Sequence, residues 1–303
     1  GFYNINGGYS SESPHWISIL NDMNRTQFHR GHDGNGTYLC DCCGLAHVRL
    51  AIIDLVNGSQ PLVKSHGGLK YAISYNGEIY NMKELRSALK AEGATFDTAS
   101  DTEVILEGYM RHGSDFIKCL NGIFAAAILD ENHNRLILFR DRLGVKPLFY
   151  THYENTLVFA SEIKGIFAYP GIPHIIDRDG LCEVFALGPA RTHGGGVFKN
   201  IFEVMPGQCI IFENERCDKH FYWKLESHEH TDSLETTIEK TSWLIKDAIK
   251  MQMLSDIPIS TFLSGGVDSS IVTSICAEEL HKQGLQLNTF SFDFTGNDRY
   301  FKA

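Results

Sequence analysis

Long apolar runs are missing from this sequence. The longest, Ile123 to Leu129 with its neighbours, is far shorter than the roughly 18 residues that cross a bilayer. No charged-then-apolar leader opens the chain either, so a soluble cytoplasmic protein without membrane contact is expected. Basic tracts are also lacking. Asp and Glu number 37 against 27 Lys and Arg, so the field of the molecule repels polyanions and nucleic acid is not an expected partner. The eight cysteines are spread over 303 residues, which points to reduced thiols rather than a disulfide framework. Cys40, Cys42 and Cys43 form one tight cluster. With no second cluster at zinc-ribbon spacing, they read as structural thiols at the edge of a strand.

The composition, 43% hydrophobic and 21% charged, excludes disorder, and the length suits about two domains. Up to about position 220, short stretches rich in Val, Ile, Phe and Tyr alternate with turn signals. They are GLAHVRLAIID (44–54), LKYAISYNGEIYN (69–81), IFAAAILD (123–130), NRLILFRDR (134–142), LFYTHYENTLVFAS (148–161) and GQCIIFENE (207–215). This predicts antiparallel sheet with a hairpin turn at Tyr153-Glu154-Asn155. Helical periodicity falls at 15–25, 82–92 and 102–112. After Trp223 the polar stretch LESHEHTDS reads as a linker, with Asp232 or Ser233 able to cap a helix over 234–254. A short strand at 259–263, a glycine turn, a helix over 269–280 and a strand at 288–294 then open a parallel α/β unit.

The turn itself is SGGVDSS, 264–270. Glycines let backbone approach an anion, and the first helical turn and the serine hydroxyls donate to it. Asp268 would repel that anion unless a divalent cation sits between them, so the pattern implies a magnesium-bound polyphosphate. It is neither a Walker A sequence nor GxGxxG. On its own it is also compatible with a plain strand-to-helix turn.

SGGVDSS resembles the pyrophosphate loop of the N-type ATP pyrophosphatases. HRGHDGNG (29–36), LAHVRLAIIDL with GSQPL (45–62), YNGEIYN (75–81), SDTE (100–103), LNGIFAAAILD (120–130), FRDRLGVKPLFY (139–150) and FASEIK (159–164) occur in series before it. Together they resemble the glutamine-dependent asparagine synthetases. The resemblance implies an α+β chain: an N-terminal αββα sandwich of the N-terminal-nucleophile glutaminase type over 1–223 and a linker over 224–233. The start of a parallel-sheet ATP-pyrophosphatase domain would follow over 234–303. It implies that glutamine is hydrolysed and its ammonia used, with ATP and Mg2+, to amidate aspartate through a β-aspartyl-AMP intermediate, releasing AMP and pyrophosphate. A homodimer is an assembly it allows.

Carried over residue by residue, the resemblance makes Arg49 and Asp101 the holders of the glutamine carboxylate and amino group. Asn76 and Gly77 become the oxyanion hole, and Glu78 lines the pocket. Ser264, Gly265, Gly266, Asp268 and Ser269 would hold pyrophosphate, with Asp268 on the magnesium. The chemistry suits each: an Arg fork takes a carboxylate, a carboxylate takes an ammonium, and an amide NH2 with a backbone N–H takes an oxyanion. Singly, Arg49 also fits a strand ion pair, Asn76-Gly77 a hairpin turn, and Asp101 with Glu103 a helix cap. Arg140, Asp141, Arg142 and Lys146 form a family landmark without an assigned role.

Two features depart from the pattern. His32 stands where the family usually has Pro, and the family's mature chain starts with Cys-Gly where this sequence starts at Gly1. That cysteine is the family's nucleophile, its own α-amino group the base. The natural protein is therefore expected to carry Cys immediately before Gly1. Only 33 residues follow Ser270, so most of the synthetase domain is expected to lie beyond this sequence. Two other readings remain at this point: a ligase of the β-lactam synthetase type without glutaminase activity, and a non-catalytic module binding glutamine or nucleotide.

Overall fold

A computed structural model describes residues 1–188, 190–214 and 216–292, and the chain divides into two units after Leu225. The first unit begins with β1 (Phe2–Tyr3), α1 (Pro14–Thr26), β2 (Gly34–Leu39), β3 (Cys43–Arg49), β4 (Leu62–His66) and β5 (Leu69–Ile79). Then come α2 (Met82–Ala91), α3 (Asp101–His112), β6 (Gly122–Asp130), β7 (Arg135–Arg140), β8 (Phe149–Tyr153) and β9 (Thr156–Ala160). It closes with α4 (Ile163–Phe167), α5 (Arg178–Leu187), β10 (Phe202–Glu203), β11 (Gln208–Glu213) and β12 (Arg216–Phe221).

These strands make two six-stranded antiparallel sheets, ordered β10-β8-β9-β1-β3-β2 and β12-β11-β7-β6-β5-β4. Their side chains show why the sheets stack. In β1, β8 and β9, Tyr3, Tyr150, Leu157 and Phe159 join Ala125, Leu138, Ile210 and Phe212 of the other sheet in one buried cluster. Their sequence neighbours Phe2, Phe149, Val158 and Ala160 instead pack with Leu20, Met23 and Ile166 of α1 and α4. Successive residues of a strand face opposite ways, so a sheet buried on both sides reads as a continuous apolar run. Phe2, fully buried, contributes about 1.5–3 kcal/mol in this way. The second sheet carries α3 against β5 and β4, giving the αββα order expected of the sequence.

The segment expected to be one strand over 44–54 stops at Arg49; the residues after it turn away, and the carbonyls of Ile53, Asp54 and Leu55 serve Arg49. Asn76-Gly77 is no hairpin turn, because it pairs with Ala125 and Phe124 inside β5–β6. Ser100, rather than Asp101, caps α3 by accepting from Glu103 N–H. Glu154 takes φ 52° in the turn expected between β8 and β9. Short or polar elements, namely β2, β4, β10, β12 and α5, gave too little periodicity to be read in advance.

The second unit holds α6 (Leu234–Gln252), β13 (Ser260–Phe262), α7 (Val267–Lys282) and β14 (Asn288–Phe290). Ser233 caps α6, its Oγ accepting from Thr236 N–H at 3.2 Å. β13 and β14 are parallel, Thr261 opposite Thr289, which is the expected strand–helix–strand unit. The predicted strand to Phe294 ends at Phe290, and its last two positions lie outside the described residues. Phe262 and Phe292 are exposed, as a single such unit cannot cover both faces of its sheet.

Candidate active site

A cavity of about 360 Å3 is lined by Gly1, Arg49, Asn76, Gly77, Glu78 and Asp101 among others. The five glutamine-site candidates, scattered from 49 to 101 in sequence, thus share one space. The pleat of β5 explains how. Ala72 and Ser74 point toward the first sheet, Ala72 into the inter-sheet core and Ser74 onto Ala46 O at 3.3 Å. Asn76 and Glu78 continue that face, whereas Tyr71 and Tyr75 face α3, in ring contact with Tyr109 and hydrogen-bonded to Asp101.

Asn76 Nδ2 is buried and has no hydrogen-bond partner among the described residues. An unpaired buried donor costs about 1–3 kcal/mol, which makes this one of the few polar atoms in the unit whose presence stability does not explain. Beside it, Gly77 is required by close approach: a Cβ there would lie 2.1 Å from Ile123 O and 2.6 Å from Phe124 Cα.

Arg49 is held by backbone carbonyls. Its guanidinium donates to Leu55 O and Ile53 O, each at 3.1 Å, and to Asp54 O at 2.5 Å. A Cβ on Gly58 would fall 2.4 Å from Arg49 Nη2, so glycine there makes room for the fork. Since a guanidinium carries five N–H donors, part of the fork remains for a ligand. Asp33 N–H donates to Arg49 O at 3.0 Å, which pins the 30–33 segment to the end of β3. His32 is on the surface, 3.9 Å from Asp33, and is not among the cavity residues.

Burial raises the Asp101 carboxyl above the usual carboxylate range, opposed by hydrogen bonds from Tyr75 O–H and the N–H groups of Ile79 and Thr102. Glu78 is likewise pushed up by burial, against the pull of Lys146 and with a push from Asp101. Lys146 reaches the cavity from the 140–146 turn. That turn is wired from inside: Arg140 donates to Gly144 O and Lys146 O, each at 2.6 Å, and pairs with Glu203 at 2.9 Å. Asp141 accepts from Val145 N–H and Lys146 N–H, each at 3.0 Å.

Among the cavity residues not singled out from sequence are His47 and Gln60. His47, whose Nδ1 lies 3.3 Å from Ser74 Oγ, has its pKa lowered to about 4 by burial and by Arg49. Gln60 brackets β5 with its amide, donating to Tyr75 O at 3.0 Å and accepting from Tyr75 N–H at 2.7 Å. Both carry unremarkable side chains in sequence; only the HVR and GSQP contexts marked the region. The Gly1 nitrogen donates to Phe159 O at 2.7 Å and Gly1 O accepts from Phe159 N–H at 2.9 Å. A Cβ on Gly1 would meet the Phe159 ring at 2.5 Å, so only glycine fits between that ring and β3. Cys42 and Cys43 are buried and Cys40 half-buried, with Cys40 and Cys42 sulfurs 3.7 Å apart. None of them lines the cavity.

In the second unit the 264–268 loop is exposed. Gly265 has φ 82° and Gly266 precedes α7 without a side-chain cap. Ser264 and Ser269 hydroxyls lie 3.1 Å apart, and Ser269 and Ser270 donate to Gly266 O at 3.1 and 2.8 Å. Asp268 stands in the first turn of α7. N–H groups of the first turn of α7, hydroxyls and one carboxylate gather there, a donor set that fits a polyphosphate and a divalent cation. Among the described residues no group of three or more His, Cys, Asp or Glu is placed to hold a metal by itself, and no helix is long and apolar enough to cross a membrane.

Comparison with known proteins gives two family matches: a glutamine amidotransferase domain over residues 3–223 and an asparagine synthase domain over residues 241–302. The chain is 44% identical over 285 residues to asparagine synthetase [glutamine-hydrolyzing] 3 of Bacillus subtilis, covering 94% of this chain and 46% of that protein. It is 37% identical to the putative asparagine synthetase [glutamine-hydrolyzing] 2 of Methanocaldococcus jannaschii, covering 91% and 57%. An amidase of Gibberella zeae, chry2, is 35% identical over 86% of this chain and 38% of its own length. The chain thus spans about half the length of the curated relatives it matches. Among solved structures, the allosteric regulatory enzyme of purine biosynthesis superposes with a TM-score of 0.53 at 19% identity, covering 100% of this chain and 67% of that one, a likeness of fold alone. With an αββα sandwich, a cavity that gathers the candidate glutamine-site residues, and a family match across 3–223, this chain belongs to the glutamine amidotransferase domain family.

Proposed function

We propose that the cavity hydrolyses glutamine and that the ammonia feeds an ATP-dependent amidation of aspartate to asparagine. The observation that carries the first half is the buried, unpartnered Asn76 Nδ2 in a cavity it shares with Gly1, Arg49 and Asp101. The division we adopt is a glutaminase over 1–223, a linker over 224–233 and the beginning of a synthetase domain over 234–303.

The nucleophile in this reading is a cysteine bonded to the Gly1 nitrogen, which reaches the cavity wall. Its thiolate attacks the glutamine amide carbon, forming a C–S bond and a tetrahedral oxyanion that Asn76 Nδ2 and the Gly77 N–H receive. The α-amino group of that cysteine takes the thiol proton and passes it to the departing nitrogen, which leaves as ammonia. Water then cleaves the thioester to glutamate. Arg49 holds the substrate carboxylate with the part of its fork that the loop leaves free, Asp101 holds the ammonium, and Glu78 borders the side chain.

In the synthetase half, ATP would place its phosphates on Ser264, Gly265, Gly266 and Ser269. Mg2+ held by Asp268 would neutralise phosphate charge there. Aspartate activation as β-aspartyl-AMP releases pyrophosphate, and ammonia displaces AMP. Free amino acids and ATP as substrates suit a cytoplasmic enzyme. Likeness to a relative named an amidase makes the acceptor the point to test. Full-length protein with glutamine, ATP, magnesium and aspartate should release glutamate, pyrophosphate and AMP. Pyrophosphate release that ignores aspartate would replace aspartate with another acceptor, and glutamate release failing with an intact N-terminus would overturn the glutaminase.

A further inference from the structure

Asp101 has most of its acceptor capacity filled before a substrate arrives. Oδ2 accepts from Tyr75 O–H at 2.9 Å and from Ile79 N–H at 3.1 Å. Oδ1 accepts from Thr102 N–H at 2.9 Å. A carboxylate offers about four lone-pair sites, two on each oxygen. Oδ2 is therefore saturated, and the open site is on Oδ1.

We propose that Tyr75 is a positioning residue for glutamine recognition: by occupying Oδ2 it leaves Oδ1 as the single oxygen that Asp101 offers to the substrate's α-ammonium. This rests on the cavity being a glutamine pocket and specifies how that pocket selects an amino acid.

The surroundings of Tyr75 fit such a task. The residue is 3% exposed, and a phenol has only two side-chain torsions to fix. Its own backbone is clamped in both directions by the Gln60 amide, at 2.7 and 3.0 Å, so the ring starts from a set position. Ile79, four residues on in β5, adds its backbone N–H, so two donors from one strand meet on one oxygen. The other charged groups that bear on Asp101 are Glu78 of β5 and Arg86 of α2. Arg86 donates instead to Thr98 O and Ser100 O, at 2.7 and 2.8 Å, and leaves the carboxylate to Tyr75. Burial favours protonation of Asp101, and the Tyr75 hydroxyl leads the influences that oppose it. Removing the hydroxyl therefore frees the carboxylate to turn and lets it take up a proton at higher pH.

The test is Tyr75→Phe in the full-length protein, with Asp101→Asn alongside. Steady-state glutamate release is measured across pH, and glutaramate, glutamine without its amino group, serves as a competitive inhibitor. Tyr75→Phe should lower kcat/KM for glutamine about tenfold, mainly through KM, as expected for one lost hydrogen bond to a charged group. The acid limb of kcat/KM should move to higher pH, and inhibition by glutaramate should stay unchanged. If Asp101→Asn impairs the enzyme while Tyr75→Phe changes neither KM nor the acid limb, the role of Tyr75 is overturned and the pocket stands. Equal losses for glutamine and glutaramate assign Tyr75 to packing and also overturn it. An Asp101→Asn variant with unchanged KM overturns the glutamine assignment of Asp101 and the proposal together. Should circular dichroism show that the Phe variant does not fold, Tyr75→Met, which fills similar space without a donor, must meet the same outcomes.

Discussion

Asn76 and Arg49 differ in what else their side chains do, and this separates their expected phenotypes. Among the described residues the Nδ2 of Asn76 has no partner, so Asn76→Ala breaks no hydrogen bond donated by that atom. It should lower kcat for glutamine hydrolysis about 10²–10³-fold, the usual loss for an oxyanion donor, with KM nearly constant. A rise in KM at unchanged kcat would move Asn76 from oxyanion to ground-state binding. Arg49 also donates to three loop carbonyls. Arg49→Lys, with an ammonium that cannot reproduce the fork, should raise KM for glutamine and also destabilise the 53–58 loop by about 1–3 kcal/mol. Calorimetric titration with glutamine and a thermal melt would show both effects, and a melt unchanged from wild type would contradict the anchoring role.

At the scale of elements, β5 does two jobs with one pleat. Its even-numbered residues Asn76 and Glu78 reach the cavity, while Tyr75 and Ile79 brace Asp101 at the start of α3. Gly77 between them lets β6 come close, with Ile123 O where a Cβ would be. Gly77→Ala should therefore cost about 2–4 kcal/mol through backbone displacement. Gly34→Ala is the comparison, since a Cβ there meets nothing within 4 Å; it should be near neutral. Urea titration of both variants decides the matter, and equal midpoints would contradict the close-approach reading of Gly77. Much of this element was legible in sequence, because YNGEIYN alternates and is flanked by turn residues. Its Asn-Gly, the strongest short hairpin signal, was overridden by tertiary pairing with Ala125 and Phe124. In the same way, β3 was expected to run to 54 and ends at Arg49. The residues after it are apolar enough for a strand, but their carbonyls are taken by the guanidinium.

For the whole first unit, the acid limb of stability carries a signature of His47. Its folded pKa is lowered to about 4 from an ordinary 6.5, so between those values the unfolded chain binds the proton that the folded chain refuses. Stability is then highest above pH 6.5 and declines as pH falls toward about 4; below that both states are protonated and the decline stops. The loss from this one group is about 3 kcal/mol. His47→Gln, which stays neutral, should flatten the decline across that window. Denaturant midpoints from pH 7 to 4 in both proteins test it, and parallel curves would remove His47 from the account.

The sequence by itself determined the local and periodic features: alternating strands, amphipathic helices, the glycine turn before α7, and motifs in an order specific enough to identify the family. These depend on residues a few positions apart, whose geometry the backbone sets directly. The tertiary structure alone decided which atoms meet across long separations. Register between β5 and β6 fixed the face on which Asn76 emerges, and the packing of α3 brought Asp101 to Tyr75. The loop after β3 closed its carbonyls around Arg49, and the enclosure of the cavity left one amide donor without a partner. Such facts arise from two-sided burial and from pairing between distant strands, and side-chain chemistry read along the chain does not contain them.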